Sequence, residues 1–338
     1  MSKKPVCVVI PNWNGEDYIV DCLNSLRAQT VARHVIVVDN GSRDGSVQVI
    51  ERQFPEVKLI INDRNLGFAE GVNIGIRAAI QANYKYVALL NNDAVAHPDW
   101  LKNLLDFMEK HDEFAIATPK LLDVGGKTID GTGEVYTIWG IHYPRGRGEK
   151  DLAAYDNQRE VFGASGGASI YRLAALKQIG LFDKDFFAYY EDIDLSFRAQ
   201  LAGWKVAFVP AAEVYHHISA SSSRIKGFAT YQTLKNLPFV VIKNVPGKLL
   251  FRVLPRFWLV YGLFFVSAFQ RRQGRFAIKG LVMTMLFFPK KLFERYRIQH
   301  RRVVPVGYIA SIIEDDLPPT AVRLRSLRSK WRKLWGRP

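Results

Sequence analysis

The sequence predicts an α/β fold: a mostly parallel central sheet flanked by helices, followed by a basic helical extension. Two observations carry this. In the first 120 of 338 residues, short runs that are apolar throughout alternate with amphipathic stretches, the pattern of strands covered on both faces by crossover helices. The formal charge of +15 is also unevenly spread: residues 243–338 hold 21 Lys/Arg against 4 Asp/Glu, a balance of +17 that leaves the first 242 residues at −2. The length allows one large domain or two ordinary ones. At 48% hydrophobic and 23% charged, the composition is that of a globular chain.

Residues 5–10 are a β-branched apolar strand, and 17–29 carry apolar residues at helical spacing. Strands follow at 35–38, 57–61, 86–90 and 115–119, separated by helices at 45–53, 67–81 and 98–110, the last with proline in its first turn. Residues 123–160, rich in Gly and charge around Trp139, His142 and Tyr143, read as an irregular excursion or mobile loop. Helix and strand signals resume over 169–209, and basic, aromatic, helical segments follow residue 223. Cys7 and Cys22 fall in a strand and a helix and are expected as reduced core thiols. No signal-peptide region precedes the first strand, which predicts a body kept in the cytoplasm. The longest charge-free run, 257–270, has 14 residues where a span needs about twenty, so no transmembrane helix is predicted.

In such sheets ligands bind beyond the carboxyl ends of the strands. Four consecutive ends here carry Asp, Asn and Gly: Pro11-Asn12-Trp13-Asn14-Gly15, Asp39-Asn40-Gly41, Asn65-Leu66-Gly67 and Asn91-Asn92-Asp93. Turn chemistry alone explains any one of them. Four converging on one crevice suggest a nucleotide site, where Asp39 can accept from a base imide and glycine admits close approach. The glycine fingerprints of dehydrogenases and of P-loop enzymes are both missing. Asn91-Asn92-Asp93 offers oxygen ligands to Mg²⁺ or Mn²⁺ bridging a diphosphate, where the cation offsets leaving-group charge.

Glu191-Asp192-Ile193-Asp194 follows a run of aromatics and opens a helix. Asp192 and Asp194 stand about 200° apart on a helix, so one can face the crevice while the other serves the scaffold. Like charges and aromatic walls raise a carboxyl pKa, as a general base requires; the plainer alternative is a solvated acidic helix N-terminus. His216-His217 follows a late strand and offers an imidazole to a metal, with a structural role as the equal alternative.

Together these residues resemble the family 2 glycosyltransferases of GT-A (Rossmann-like) fold, and most the bacterial rhamnosyltransferase branch. The likeness covers residues 6–221, through Val-Val-Ile-Pro-Asn-Trp-Asn-Gly (8–15), Val-Val-Asp-Asn-Gly-Ser-Arg-Asp-Gly-Ser (37–46), Asn-Leu-Gly-Phe-Ala-Glu-Gly-Val-Asn-Ile-Gly (65–75), Leu-Asn-Asn-Asp (90–93), Gly-Ala-Ser-Gly-Gly-Ala (163–168) and Tyr-Glu-Asp-Ile-Asp-Leu-Ser-Phe-Arg (190–198). It implies an inverting transfer to an acceptor hydroxyl. By resemblance, Asp39 reads the donor pyrimidine, and Pro11, Asn14, Asn65 and Gly67 shape the nucleotide pocket. Asn91 and Asn92 line the diphosphate site, Asp93 and His216 hold Mg²⁺ or Mn²⁺, and Asp192 is the base, assisted by Glu191. His216 is preferred to His217 because Ser219 and Ser221 follow it at the family's spacing. Asn91 stands where the family usually has Asp, so the metal site leans more on donor phosphates. The implied donor is a dTDP- or UDP-sugar, rhamnose first, and the acceptor a lipid-linked saccharide of cell-surface polysaccharide synthesis. Residues 1–223 are the expected catalytic domain, its nucleotide-binding half about 1–120 and its acceptor half about 121–223.

Residues 248–302 interleave apolar groups such as Phe257-Trp258-Leu259-Val260-Tyr261 and Leu286-Phe287-Phe288 with Arg and Lys. Within 323–337, Leu327, Trp331, Leu334 and Trp335 share one side of a helix. Residues 224–338 are thus expected to lie peripherally on an anionic membrane surface, at the cytoplasmic face of the plasma membrane. A packed extension with a solvated basic face is the alternative, and nucleic acid is disfavoured because no recognition fold is visible. Two other classes compete. A sugar nucleotidyltransferase carries a Gly-rich basic phosphate loop, which is missing here, and a non-catalytic nucleotide-sugar or membrane-binding module tolerates loss of Asp192.

Overall fold

A computed structural model describes residues 4–150, 152–217 and 225–317. The first half alternates as the apolar runs predict: β1 (Lys4–Asn12), α1 (Glu16–Arg27), β2 (His34–Asp39), α2 (Ser46–Gln53), β3 (Lys58–Ile61), α3 (Gly67–Gln81), β4 (Tyr84–Leu89), β5 (Ala94–Ala96), α4 (Trp100–Lys110) and β6 (Phe114–Asp123). β7 (Ile129–Gly131), β8 (Glu134–Tyr136), β9 (His142–Pro144), β10 (Glu160–Val161), β11 (Ile170–Arg172), α5 (Leu173–Ile179), α6 (Glu191–Leu201) and β12 (Lys205–His216) follow. The main sheet runs β10-β12-β6-β11-β4-β1-β2-β3, with β5 added on β12 and β7 on β6.

β3, β2, β1 and β4 are parallel, and so are β6 and β12. β11 lies antiparallel between β4 and β6, which makes the sheet mixed: no crossover helix precedes this short strand to reverse its direction. Alternation along β1 builds both cores. Val6, Val8 and Ile10 face Trp100, Leu104 and α1. Cys7 and Val9 face Val72, Ile76 and Leu195. Cys7 and Cys22 are buried and not joined in a disulfide, as the composition implied.

Residues 123–160 correct the expectation of an irregular or mobile loop. β7 pairs with β6, and β8 pairs with β9. Gly133 (φ 106°) and Gly140 (φ 71°) take left-handed backbone angles that let the chain double back. Strands of three residues are too short to show a period, so polarity was the only signal left in the sequence.

Beyond the sheet come α7 (Phe228–Asn244), α8 (Gly247–Gln270), α9 (Gly274–His300) and α10 (Val306–Ser311). They are not an appendage. Leu234, Leu237, Val240 and Val241 share a core with Phe186, Ile193, Phe197 and Leu201. α8 continues back from the charge-free run through Arg252 and Arg256 to 24 residues; an 18-residue window of it has mean hydropathy 1.6, so by length and composition alone the helix could cross a membrane, and part of it is buried against the rest of the protein. Within the expected aromatic group, Phe257, Val260 and Tyr261 turn inward while Trp258 and Leu259 point out. Phe251, Val266 and Phe269 of α8 and Val282, Met285, Leu286, Phe293 and Tyr296 of α9 are likewise exposed. The expected stripe at 323–337 lies outside the described residues.

Candidate functional site

A cleft of about 530 Å³ opens beyond the carboxyl ends of β1 and β4. Its lining includes Pro11, Asn65, Gly67, Asn91, Asn92, Asp93, Glu191, Asp192 and His216, so most of the candidate residues meet in one place. Asp39 and Asn14 do not line it. Asp39 is fully buried; its Oδ1 accepts from Asn12 Nδ2 (2.8 Å) and Ser42 Oγ (2.6 Å), and its Oδ2 from Ser42 N–H (2.9 Å). Asn14 Oδ1 accepts from Arg43 N–H (2.8 Å). Both therefore tie the loop after β2 to the end of β1. Asn12 joins the two halves of the floor, since its Oδ1 also accepts from Asn92 Nδ2 (2.8 Å).

Asn65 Oδ1 caps the Gly67 N–H at 2.8 Å, and Gly67 (φ 83°) is pressed so close that an added Cβ would lie 2.5 Å from the Phe187 carbonyl oxygen. Only glycine fits there. On the opposite wall, Phe187 (φ 65°), Tyr189 (φ 69°) and Tyr190 (φ 72°) all have left-handed backbone angles, and Ala188 N–H donates to Phe186 O at 2.8 Å to close a γ-turn. Such conformations cost side-chain-bearing residues about 1–3 kcal/mol each and persist only where surroundings hold them. The turn delivers Glu191 and Asp192 to the cleft. Asp192 Oδ2 accepts from Gly166 N–H (3.1 Å), while Glu191 is buried and its Oε2 meets no donor among the described residues. Burial first, and the Asp192 charge second, raise Glu191 well above the ordinary carboxyl range. Asp194 points the other way, to Arg198 Nε (2.9 Å), Lys243 Nζ (2.8 Å) and Asn244 Nδ2 (2.8 Å), the division that helix geometry implied.

His216 takes its place through β12. Its Nδ1 sits 2.9 Å from Asp130 Oδ2, which leaves Nε2 aimed at Asp93 Oδ1, 3.3 Å away. That oxygen is buried and makes no hydrogen bond of good geometry among the described residues. His217 instead packs its ring on Tyr18, at 5.1 Å. A carboxylate and an imidazole oriented by a second carboxylate form a donor set that fits a divalent cation. Burial lowers the His216 pKa, but hydrogen bonds and charge from Asp130 and Asp93 outweigh it and raise it to about 9. A cation bound there therefore displaces a proton. Asp183, Asp185 and Glu294 also gather oxygens within 4.8 Å, but Lys291 Nζ already sits 2.7, 2.7 and 3.0 Å from them. Lysine is the cation of that cluster.

Sequence reasoning missed Asp130, whose isolated carboxyl between Ile129 and Gly131 gave no signal. It also assigned no role to Glu134, His142 and Arg147, which line the cleft from β8 and β9 onward. Glu134 Oε2 lies 2.9 Å from His142 Nδ1, and Arg147 pairs with Asp130 Oδ1 at 2.7 Å.

Known proteins match this arrangement. The model for glycosyl transferase family 2 matches residues 7–180. A Mycobacterium tuberculosis N-acetylglucosaminyl-diphospho-decaprenol L-rhamnosyltransferase is 29% identical over 209 residues, 56% of this chain and 68% of that protein. Among solved structures, the Pyrobaculum calidifontis mannosyltransferase PcManGT in complex with GDP-Man and Mn²⁺ superposes with TM-score 0.54 at 14% identity, covering 92% of this chain and 87% of that one. Staphylococcus aureus TarS 1–349 in complex with UDP-GlcNAc gives 0.52 at 17% identity, covering 88% and 90%. With more than half of its length matched by the family model, the chain belongs to glycosyl transferase family 2 and is a glycosyltransferase of GT-A fold.

Proposed function

We propose that this enzyme moves a sugar, rhamnose first, from a dTDP- or UDP-sugar to a lipid-linked saccharide with inversion, in polysaccharide synthesis. One observation carries the reading: Asp93 with His216, and Asp192 from the opposite wall, open onto the same cleft. Asp192 takes the proton of the acceptor hydroxyl as its oxygen bonds to the anomeric carbon, and the bond from that carbon to the diphosphate oxygen breaks in line. Glu191 assists beside it: burial and the Asp192 charge raise its carboxyl above the ordinary range. Pro11, Asn65 and Gly67 shape the nucleotide pocket, with Asn91 and Asn92 at the diphosphate; Asp39 and Asn14 act by fixing the loop that closes it. Asp93 and His216 would hold Mg²⁺ or Mn²⁺, which offsets the negative charge of the departing nucleotide. The names of the similar mycobacterial, staphylococcal and archaeal proteins support a nucleotide-sugar donor, Mn²⁺ and a lipid-diphosphate acceptor.

The outward apolar sides of α8 and α9, flanked by Arg252, Arg256, Arg271, Arg272, Lys279 and Lys290, support docking on an anionic bilayer at its cytoplasmic face. The reading is tested by thermal shift with UDP, dTDP and GDP, each with Mn²⁺ or Mg²⁺. A ligand at about 100 times its Kd adds about 2.7 kcal/mol of apparent stability. Hydrolysis of dTDP-rhamnose should follow and should vanish in Asp192→Asn. Flat melting curves with every nucleotide would defeat the donor assignment.

A further inference from the structure

The strained turn that carries Glu191 and Asp192 is held from outside the sheet. Asn236, in the middle of α7 and fully buried, donates from Nδ2 to three backbone carbonyls of that turn: Phe186 O (2.9 Å), Ala188 O (2.9 Å) and Tyr189 O (2.8 Å). All three partners are acceptors, so the amide nitrogen, not its oxygen, must face the turn. The adjacent Lys235, also buried, donates from Nζ to Asp185 O (2.8 Å) and Phe186 O (3.1 Å). Of the five consecutive carbonyls 185 to 189, four thus point at two side chains of one helix. A further tie runs to the donor side, where Ala69 N–H donates to Phe187 O at 3.1 Å.

We propose that Asn236, with Lys235, is a positioning residue for sugar transfer: it clamps the left-handed turn at Phe187–Tyr190 and so fixes where the Asp192 carboxylate stands relative to the acceptor hydroxyl. The inference rests on the reading of Asp192 as base, and it assigns α7 a part in the active site. Neither residue itself lines the cleft, although Ala188 and Tyr189, which Asn236 holds, do. Their effect runs through the backbone, and displacement of a reacting group by about 1 Å can cost on the order of 100-fold in rate.

The test uses the full chain carrying Asn236→Ala, and separately Lys235→Met, which keeps the aliphatic stem. With dTDP-rhamnose and Mn²⁺, Asn236→Ala should lower kcat for hydrolysis by about 10- to 100-fold while donor KM and dTDP binding stay near wild type. Lys235→Met should show a smaller loss of the same kind. Amide hydrogen exchange of peptides spanning 185–192 should quicken in both variants while β1 and β4 stay protected. Unchanged kcat in both variants overturns the proposal, as does a loss that falls on donor KM alone, or unchanged exchange across the turn. If Asn236→Ala does not fold, Lys235→Met decides by the same criteria. Asp192→Asn is assayed alongside: turnover that survives it removes the base assignment, and the exchange measurement then still decides whether the clamp exists.

Discussion

Two groups of carboxylates have opposite fates in this molecule, although Glu191 and Asp192 of one lie within three residues of Asp194 of the other. Buried Asp194 and half-buried Asp183 and Asp185 are set among cations: Lys243 lies 2.6 Å from Asp183 and 2.8 Å from Asp194, and Lys291 lies 2.7 Å from both Asp183 and Asp185. Asp93, Glu191 and Asp192 meet no lysine or arginine side chain within ion-pairing distance among the described residues; Asp93 faces only His216. The contrast appears in their protonation. Burial raises Asp183, but Lys243 and Lys291 outweigh it and hold it far below the carboxyl range, whereas burial and a neighbouring negative charge push Glu191 far above it. Charge that is fully paired supports the fold, and charge left short of partners is available to ligands and protons.

Four substitutions sharpen or break this contrast. The largest effect is expected for Asp192→Asn, which should cost about 10²- to 10⁴-fold in turnover with a melting point near wild type; a variant that unfolds instead would move Asp192 into the structural group. Asp183→Asn leaves two buried ammonium groups short of their partner and should cost about 3–5 kcal/mol in chemical denaturation. The Asp183 pKa is depressed on folding, so its contribution is present above the ordinary carboxyl pKa and lost as pH falls through the folded value. Wild type and Asp183→Asn should therefore converge in stability in acid. Asp130→Asn should weaken Mn²⁺ binding by about 10- to 100-fold, measured by calorimetry, because His216 loses the acceptor that fixes its tautomer. The smallest effect belongs to Glu191→Gln measured below the ordinary carboxyl pKa, where both side chains are uncharged and the stability change should stay below about 1 kcal/mol. Here the sign reverses. A raised folded pKa makes wild-type stability decline as pH rises from the ordinary carboxyl value through the folded one, and Glu191→Gln should flatten that decline.

Much of this was legible in the chain. Buried strands announce themselves by unbroken apolar runs, so the ends of β1, β2 and β4 and the polar residues beyond them could be placed. Opposed directions for Asp192 and Asp194 follow from helix geometry alone. What stayed hidden has physical causes. The strands of residues 123–160 are too short for a period, so the hairpin that carries His142 read as a loop. Whether Asp39 offers its oxygens to a ligand or to Ser42 depends on a loop conformation that residue type does not determine. Asn236 sits mid-helix, where asparagine usually signals nothing, and its meaning comes from carbonyls some fifty positions earlier. The charge-free run 257–270 marked only part of α8, because Arg252 and Arg256 lie within the helix and do not end it.

The core shared between residues 136–201 and 234–313 has a consequence for how the chain can be divided. A gene fragment stopped after β12 would expose Phe186, Phe197 and Leu201 to water and strip the 185, 186, 188 and 189 carbonyls of their α7 donors. Such a fragment should be prone to aggregation and inert, and heating the whole polypeptide should melt sheet and helices in one cooperative step rather than two.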